Sequence, residues 1–333
     1  MPMNSRERVY ATIDFQGPDR VARDIWLLPK AREGREDALQ AVLDRYPGDI
    51  AGAPCLNPHL EIGTFHLGTY RDSWGCEWLN LVEGIVGEVK KPVFADYSSM
   101  AGYEWPSPCD EDFREMASSI EKQRDRFVLS FGGDPFERMQ FLRGTENLYM
   151  DLADEECDAV YELRDRVFGF YRQLVERMVR FDVDGVSLND DWGSQRSLLI
   201  SPPRWREFFK PKYQELFDVI RNAGKRVFFH SDGYIAAIYP DLIELGASAI
   251  NSQVWCMGLD TVSPFAGMVT FWGELDRQNM LPRGTPEEIR EGAGKMFKAF
   301  FRNGGLIGQC EFDHLTSLAN VEAALSVWET FTT

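Results

Sequence analysis

Seven short runs along the chain share one design: continuous apolar, β-branched or aromatic residues that stop abruptly at a polar cluster. The first spans 21–28. The next is 126–131, ending in Gly132-Gly133-Asp134, followed by 185–188, ending in Asn189-Asp190-Asp191. Then come 226–229, ending in His230-Ser231-Asp232-Gly233, and 249–250, ending in Asn251-Ser252-Gln253. The last two are 269–272, ending in Gly273-Glu274, and 306–308, ending in Gln309-Cys310-Glu311. Unbroken rather than alternating hydrophobicity suits a strand buried on both faces, so these runs predict a parallel sheet.

Amphipathic stretches lie between them. Over 203–223, Trp205, Phe208, Phe209, Tyr213, Leu216, Phe217 and Ile220 recur at helical spacing, and Gly224 follows as a C-cap. The stretch 235–245 likewise ends at Gly246. Thr285-Pro286-Glu287-Glu288 reads as an N-cap, a first-turn proline and a capping box, opening a helix to about 303. A last helix covers roughly 319–331. Alternation of strand and helix predicts an α/β fold. With an eighth strand expected within 30–125, the count predicts a (β/α)8 TIM barrel spanning 1–333 as one domain. Its active site is then expected at the C-terminal strand ends, where the polar clusters sit. An open dinucleotide- or nucleotide-binding sheet would bring a GxGxxG turn or a GxxxxGK[ST] loop, and the chain has neither. Within 30–125, turn signals at Asn57-Pro58 and Trp105-Pro106-Ser107-Pro108 accompany an aromatic run over 70–78 and an extended 86–92. They predict an inserted β-hairpin near residues 55–100, covering one barrel mouth. Trp74 and Trp78 are its expected packing residues.

Charge narrows the partners. The 333 residues carry 36 basic and 53 acidic side chains, a net charge of −17. Such a chain repels phosphate backbones and anionic headgroups, so neither nucleic acid nor a membrane surface is an expected partner. No apolar run approaches the ~18 residues of a membrane span. Residues 1–8 hold no apolar signal core, and six scattered cysteines without a CxxC pair read as reduced thiols, so a cytoplasmic location is expected.

The strand ends offer the chemistry. Residues two apart share a strand face, so His230 and Asp232 point the same way. Cys310 ends the last strand, next to the first in a barrel, and could reach the same mouth. Histidine, aspartate and cysteine are all zinc ligands, and three protein ligands with one open position is the catalytic pattern. The competing reading is packing: His230 donating to a carbonyl, Cys310 filling core. Asp190, Asp191 and Glu274 are the candidate acid–base or substrate-orienting groups; otherwise they cap helices or pair with cations such as Arg196. Asn251, Gln253 and Tyr234 are the expected cofactor-contacting residues. Asp134, Asp190, Asp191, Asp232, Glu274 and Glu311 crowd the expected mouth without matching lysine or arginine. That crowding calls for protons, a cation or a cationic ligand among them. His314, on the loop beyond Cys310, reads as solvent-facing.

At these residues the chain resembles the uroporphyrinogen decarboxylase superfamily, including its zinc-dependent, corrinoid-linked methyltransferases. The likeness is carried by Pro18-Asp19-Arg20-Val21, Asp72-Ser73-Trp74-Gly75, Ser201-Pro202 to Lys210-Pro211, Val227 to Gly233, Pro240 to Gly246, and Gly273 to Asp276. It implies the (β/α)8 barrel independently. Against true decarboxylases, Ile25 to Arg32 replaces a basic VWxMRQAGR-like motif. Their tyrosine falls on Phe141, their DSW-like serine on Asp191 and their late histidine on Cys310. The methyltransferase branch is similar at its metal positions, a His-x-Cys and a late Cys, with Asp232 here in place of the middle cysteine. The resemblance therefore implies zinc at His230, Asp232 and Cys310, and methyl transfer between a cobalamin-type corrinoid on a partner protein and a small-molecule acceptor. The alternatives are a decarboxylase or lyase acting on a tetrapyrrole or smaller carboxylate, and a barrel that binds without catalysis.

Overall fold

A computed structural model of the chain describes residues 2–55, 57–60, 65–154 and 156–332. Residues 56 and 61–64 of the expected insert lie outside the described residues. In chain order the strands are β1 (Ala22–Leu27), β2 (Ile50–Ala53), β3 (Gly68–Arg71), β4 (Glu77–Asn80), β5 (Glu88–Lys91) and β6 (Phe127–Phe131). β7 (Gly185–Asn189), β8 (Arg226–Ser231), β9 (Ala249–Ser252), β10 (Thr270–Glu274) and β11 (Leu306–Phe312) follow. Eight of them form a parallel sheet in the order β1-β11-β10-β9-β8-β7-β6-β2, nearly closed into a barrel with helices around it. The fold is therefore an α/β TIM barrel. The eighth strand is β2, and its short Ile-Ala-Gly-Ala sequence explains why hydrophobic pattern did not locate it.

The ends of that order, β1 and β2, meet at Asp49. Its N–H donates to the Arg23 carbonyl and its carboxylate accepts the Arg23 N–H, each at 2.8 Å. The same carboxylate holds the Arg8 and Arg20 guanidiniums, and Arg8 belongs to the first helix, Ser5–Ile13. That helix plugs the end of the barrel where the strands begin, packing Val9 and Ile13 against Phe127, Phe228, Trp272 and Ile307. Each fully buried aromatic or aliphatic side chain of this plug contributes about 1.5–3 kcal/mol.

Helix boundaries follow local chemistry. The Thr285 capping box forms, opening Pro286–Phe300. The expected helix over 203–223 is two, Pro202–Phe208 and Lys210–Asn222, because Pro211 cannot donate a backbone hydrogen bond across the junction. Tyr239–Leu245 stops at Gly246, which takes the left-handed conformation. Among the described residues, no helix is long and apolar enough to cross a membrane.

The insert after β2 is a three-stranded antiparallel sheet, β3-β4-β5, rather than a two-stranded hairpin. Trp74 and Trp78 are buried as expected. Asp72 organises the β3–β4 turn: it accepts the N–H groups of Trp74 and Cys76 and the Trp78 indole, and pairs with Arg138 at 2.8 Å. Both members of that pair are fully buried, so the insert is bolted to helix Pro135–Arg143. It packs against that helix, and among the described residues none of those lining the mouth's main cleft comes from it.

Candidate active site

Alternation along β7 and β8 decides which polar residues enter the barrel. On β7, Val186 and Leu188 face the helices, so Asp191 continues the inward row and Asp190 the outward one. On β8, Phe228 belongs to the barrel interior and His230 follows it inward. Beyond the strands, the two loops touch backbone to backbone at Gly193 and Gly233. Gly193 N–H donates to the Asp232 carbonyl, and a Cβ on Gly233 (φ +78°) would lie 2.1 Å from the Gly193 oxygen. Asp191 and Asp232 are thereby held side by side, the Asp232 N–H donating to Asp191 Oδ1 at 2.8 Å.

His230 completes the group. Its Nε2 lies 3.5 Å from Asp191 Oδ1 and 3.7 Å from Asp232 Oδ1. Its Nδ1 lies 2.6 Å from Asn251 Oδ1, while the Asn251 amide donates to the Trp272 carbonyl. Asn251 thus presents an acceptor, which fixes the proton of a neutral ring on Nδ1 and turns the Nε2 lone pair toward the two carboxylates. Among the described residues, Asp191, His230 and Asp232 form the group able to hold a metal ion, with ligand atoms within 4.8 Å of one another. Asp232 Oδ1 is buried without a hydrogen-bond partner among those residues. An orphaned carboxylate oxygen facing an oriented imidazole fits a cation.

Electrostatics agree. Burial opposes a charged His230 ring, but the hydrogen bond and charge of Asp191, with Asp232 behind, raise its pKa to about 9. Asp191 moves the other way: burial is outweighed by its bonds to His230 and to the Asp232 N–H, which hold it below the ordinary carboxylate range. With no metal bound, a proton occupies this site at neutral pH.

Arg277, just past β10, is the matching cation that sequence reasoning did not find. It pairs with Asp232, with Glu311 at 2.5 Å and with Glu274 at 3.5 Å. Glu274 is almost fully buried, and burial lifts its pKa to about 8 despite Arg277. Asp232, Arg277 and Glu311 stand around a cleft of about 520 Å3, lined also by Asp191 and Gln253. Glu137 was also missed; burial and the charges of Asp191 and Asp134 push its carboxyl well above the usual range. It follows Pro135 in the first turn of its helix, a sequence signal that could have drawn attention to it.

Several expected residues sit elsewhere. Asp190 accepts the N–H groups of Phe136 and Glu137 and the Tyr213 hydroxyl, so it caps helix Pro135–Arg143 instead of facing the cleft. Cys310 is not brought to His230. Because Ile307 faces the barrel interior, Gln309 and Glu311 do too, and Cys310 points into the helix layer with Leu306 and Phe312. Burial there pushes its thiol well up, away from thiolate. Asp134 is tied to the Tyr171 hydroxyl. Asn251 stands behind His230, Gln253 lines the cleft, and Tyr234 packs against the core outside the cleft wall, its N–H on the Ser194 carbonyl. His314 is exposed.

Comparison with known proteins gives one family match: the model of the uroporphyrinogen decarboxylase (URO-D) family fits residues 65–329. No curated protein matches the chain in sequence. Among solved structures, a methyltransferase from Methanosarcina mazei is similar over 98% of this chain and 99% of its own, at 16% identity and a TM-score of 0.72. A 3-keto-D-glucoside 4-epimerase from E. coli is similar over 66% of this chain and 84% of its own, at 12% identity and a TM-score of 0.42. An intracellular xylanase from Thermoanaerobacterium saccharolyticum is similar over 96% and 98%, at 10% identity and a TM-score of 0.44.

Proposed function

Because the chain belongs to the uroporphyrinogen decarboxylase family, we propose that it is a methyltransferase, passing a methyl group between a corrinoid on a partner protein and a small acceptor bound at Asp191, His230 and Asp232. The observation that carries this reading is the convergence of His230 Nε2 with two carboxylates, one with an oxygen that has no hydrogen-bond partner among the described residues, at the mouth of the barrel. Support comes also from the Methanosarcina methyltransferase, whose fold this chain shares over nearly its whole length.

One imidazole and two carboxylates make a harder ligand set than the expected His, Asp and Cys. Zinc bound there would act as a Lewis acid, keeping an acceptor thiol deprotonated and nucleophilic at neutral pH. The chain's own residues do the rest. Asn251 holds the imidazole in the ligating tautomer. Arg277 steadies the Asp232 carboxylate from the far side and keeps Glu311 turned toward it. Glu274, kept protonated at neutral pH by burial, backs Arg277 without adding another negative charge beside the ligands. In the forward direction the acceptor's electron pair takes the methyl, and the electrons of the broken carbon–cobalt bond stay with the corrinoid.

A second reading, decarboxylation of a small carboxylate, is favoured by Glu274 alone: a buried acid protonated at neutral pH is suited to quench the carbanion left by CO2. A porphyrinogen bearing many carboxylates would meet Asp191, Asp232 and Glu311 in a cleft of about 520 Å3, which disfavours that substrate.

The test is elemental analysis of the purified chain and of His230→Ala, followed by incubation with free methylcobalamin and small thiols. About one equivalent of zinc, lost in the variant, and demethylation of the corrinoid dependent on that zinc are expected. No metal after zinc addition, or CO2 release from small acids in place of methyl transfer, would overturn the reading.

A further inference from the structure

Beside the cleft lies a smaller chamber of about 130 Å3, room for roughly four water-sized groups at ~30 Å3 each. Gln195, Gln253 and Gln278 line both spaces, so the two adjoin. The chamber adds Asn279, Cys256 and Glu274. Glu274 is only 2% exposed, and its Oε2 has no hydrogen-bond partner among the described residues. A carboxyl oxygen so deeply placed on a chamber wall is costly unless something fills the chamber and bonds it.

The ionisable groups around the chamber already have partners. Glu274 Oε1 faces Arg277 Nε at 3.5 Å, and Arg277 is further engaged by Asp232 and Glu311. Asp276, at the rim, accepts the N–H groups of Gln278 and Asn279, each at 2.9 Å, and the Asn279 amide at 3.2 Å. The other polar groups of this wall are the carboxamides of Gln195, Gln253, Gln278 and Asn279, able to donate and accept, beside Trp255 and Cys256.

We propose that this chamber is a subsite for the non-reacting end of the substrate and takes an uncharged hydrogen-bonding group, a hydroxyl or a carboxamide. The assignment rests on the small-acceptor reading above and names the class of that acceptor. A carboxylate or sulfonate would face the Asp276 carboxylate with the nearest guanidinium already committed. An ammonium would have to compete with Arg277 for Glu274 and with the Gln278 and Asn279 N–H groups for Asp276.

Saturation-transfer NMR on the full chain tests this without metal or corrinoid. The probes are acetamide, ethylene glycol, acetate, methanesulfonate and ethylammonium. Acetamide and ethylene glycol are expected to bind at least about tenfold more tightly than any of the three ions and to displace each other. Cys256→Phe should abolish their binding by filling the chamber. Gln278→Arg, at an exposed position compatible with folding, should shift preference to acetate. Tighter binding of any ion to the unaltered chain, no binding of the neutral probes, or neutral binding unchanged in both variants would overturn the proposal. A missing metal or missing methyl transfer, measured separately, would instead count against the methyltransferase reading.

Discussion

Metal uptake should displace a proton from His230, and the structure sets the size of the effect. With its pKa raised to about 9 by Asp191 and Asp232, the ring is almost wholly protonated at pH 7, on the nitrogen a metal would take. Apparent affinity for zinc should therefore climb by about one decade per pH unit below 9, or roughly 75-fold between pH 6.5 and 8.5. Stability should move oppositely without metal. A raised histidine pKa stabilises the fold fully below the unfolded value near 6.5, and that contribution is lost as pH rises through 9. The loss amounts to about 3 kcal/mol at ~1.4 kcal/mol per unit. Calorimetric titration of chelator-treated protein with zinc, in two buffers of different ionisation enthalpy, counts the protons. About one should be released per zinc at pH 7, and thermal denaturation should show the zinc-dependent stabilisation growing from pH 6.5 to 9. Uptake without proton release, or an affinity flat across that range, would refute the assignment of His230 Nε2 as a ligand.

Four further outcomes follow from the geometry. Cys310→Ala should retain full zinc content by elemental analysis, since the thiol lies in the helix layer. Asn251→Ala should weaken zinc binding about 10–100-fold in a chelator competition, because the ring loses the partner that fixes its tautomer. Asp190→Ala should lower stability to denaturant by about 1–2 kcal/mol while leaving zinc content unchanged, as expected for a lost helix cap. Asp72→Ala removes the carboxylate paired with the buried Arg138 and should cost about 3–5 kcal/mol, with proteolysis within the β3-β4-β5 insert as the first sign.

The barrel was legible because buried parallel strands write themselves as apolar runs with polar stops, and seven of its eight strands do so. β2 does not: two alanines and a glycine among four residues carry no such signal. His230 with Asp232 was legible from their spacing of two. The same spacing, applied to Ile307 on β11 and Val186 on β7, would have turned Cys310 and Asp190 outward and brought Asp191 in. Proximity to a strand end was used where parity was needed. Arg277 left no comparable trace, since it sits past its strand on an irregular segment whose path only tertiary packing sets.

The contact between Gly193 and Gly233 also bears on how this site could change over generations. Main chain meets main chain there, so the span between positions 191 and 232 is held by backbone contact as well as by the Asp191 side chain. Ligand chemistry can then be exchanged one residue at a time, a thiol for a carboxylate or the reverse, without re-gauging the gap. A lineage could pass between metals, or lose one, through intermediates that all still fold. The invariant in such a history would be two glycines of the cleft wall that have no side chain to offer as a ligand.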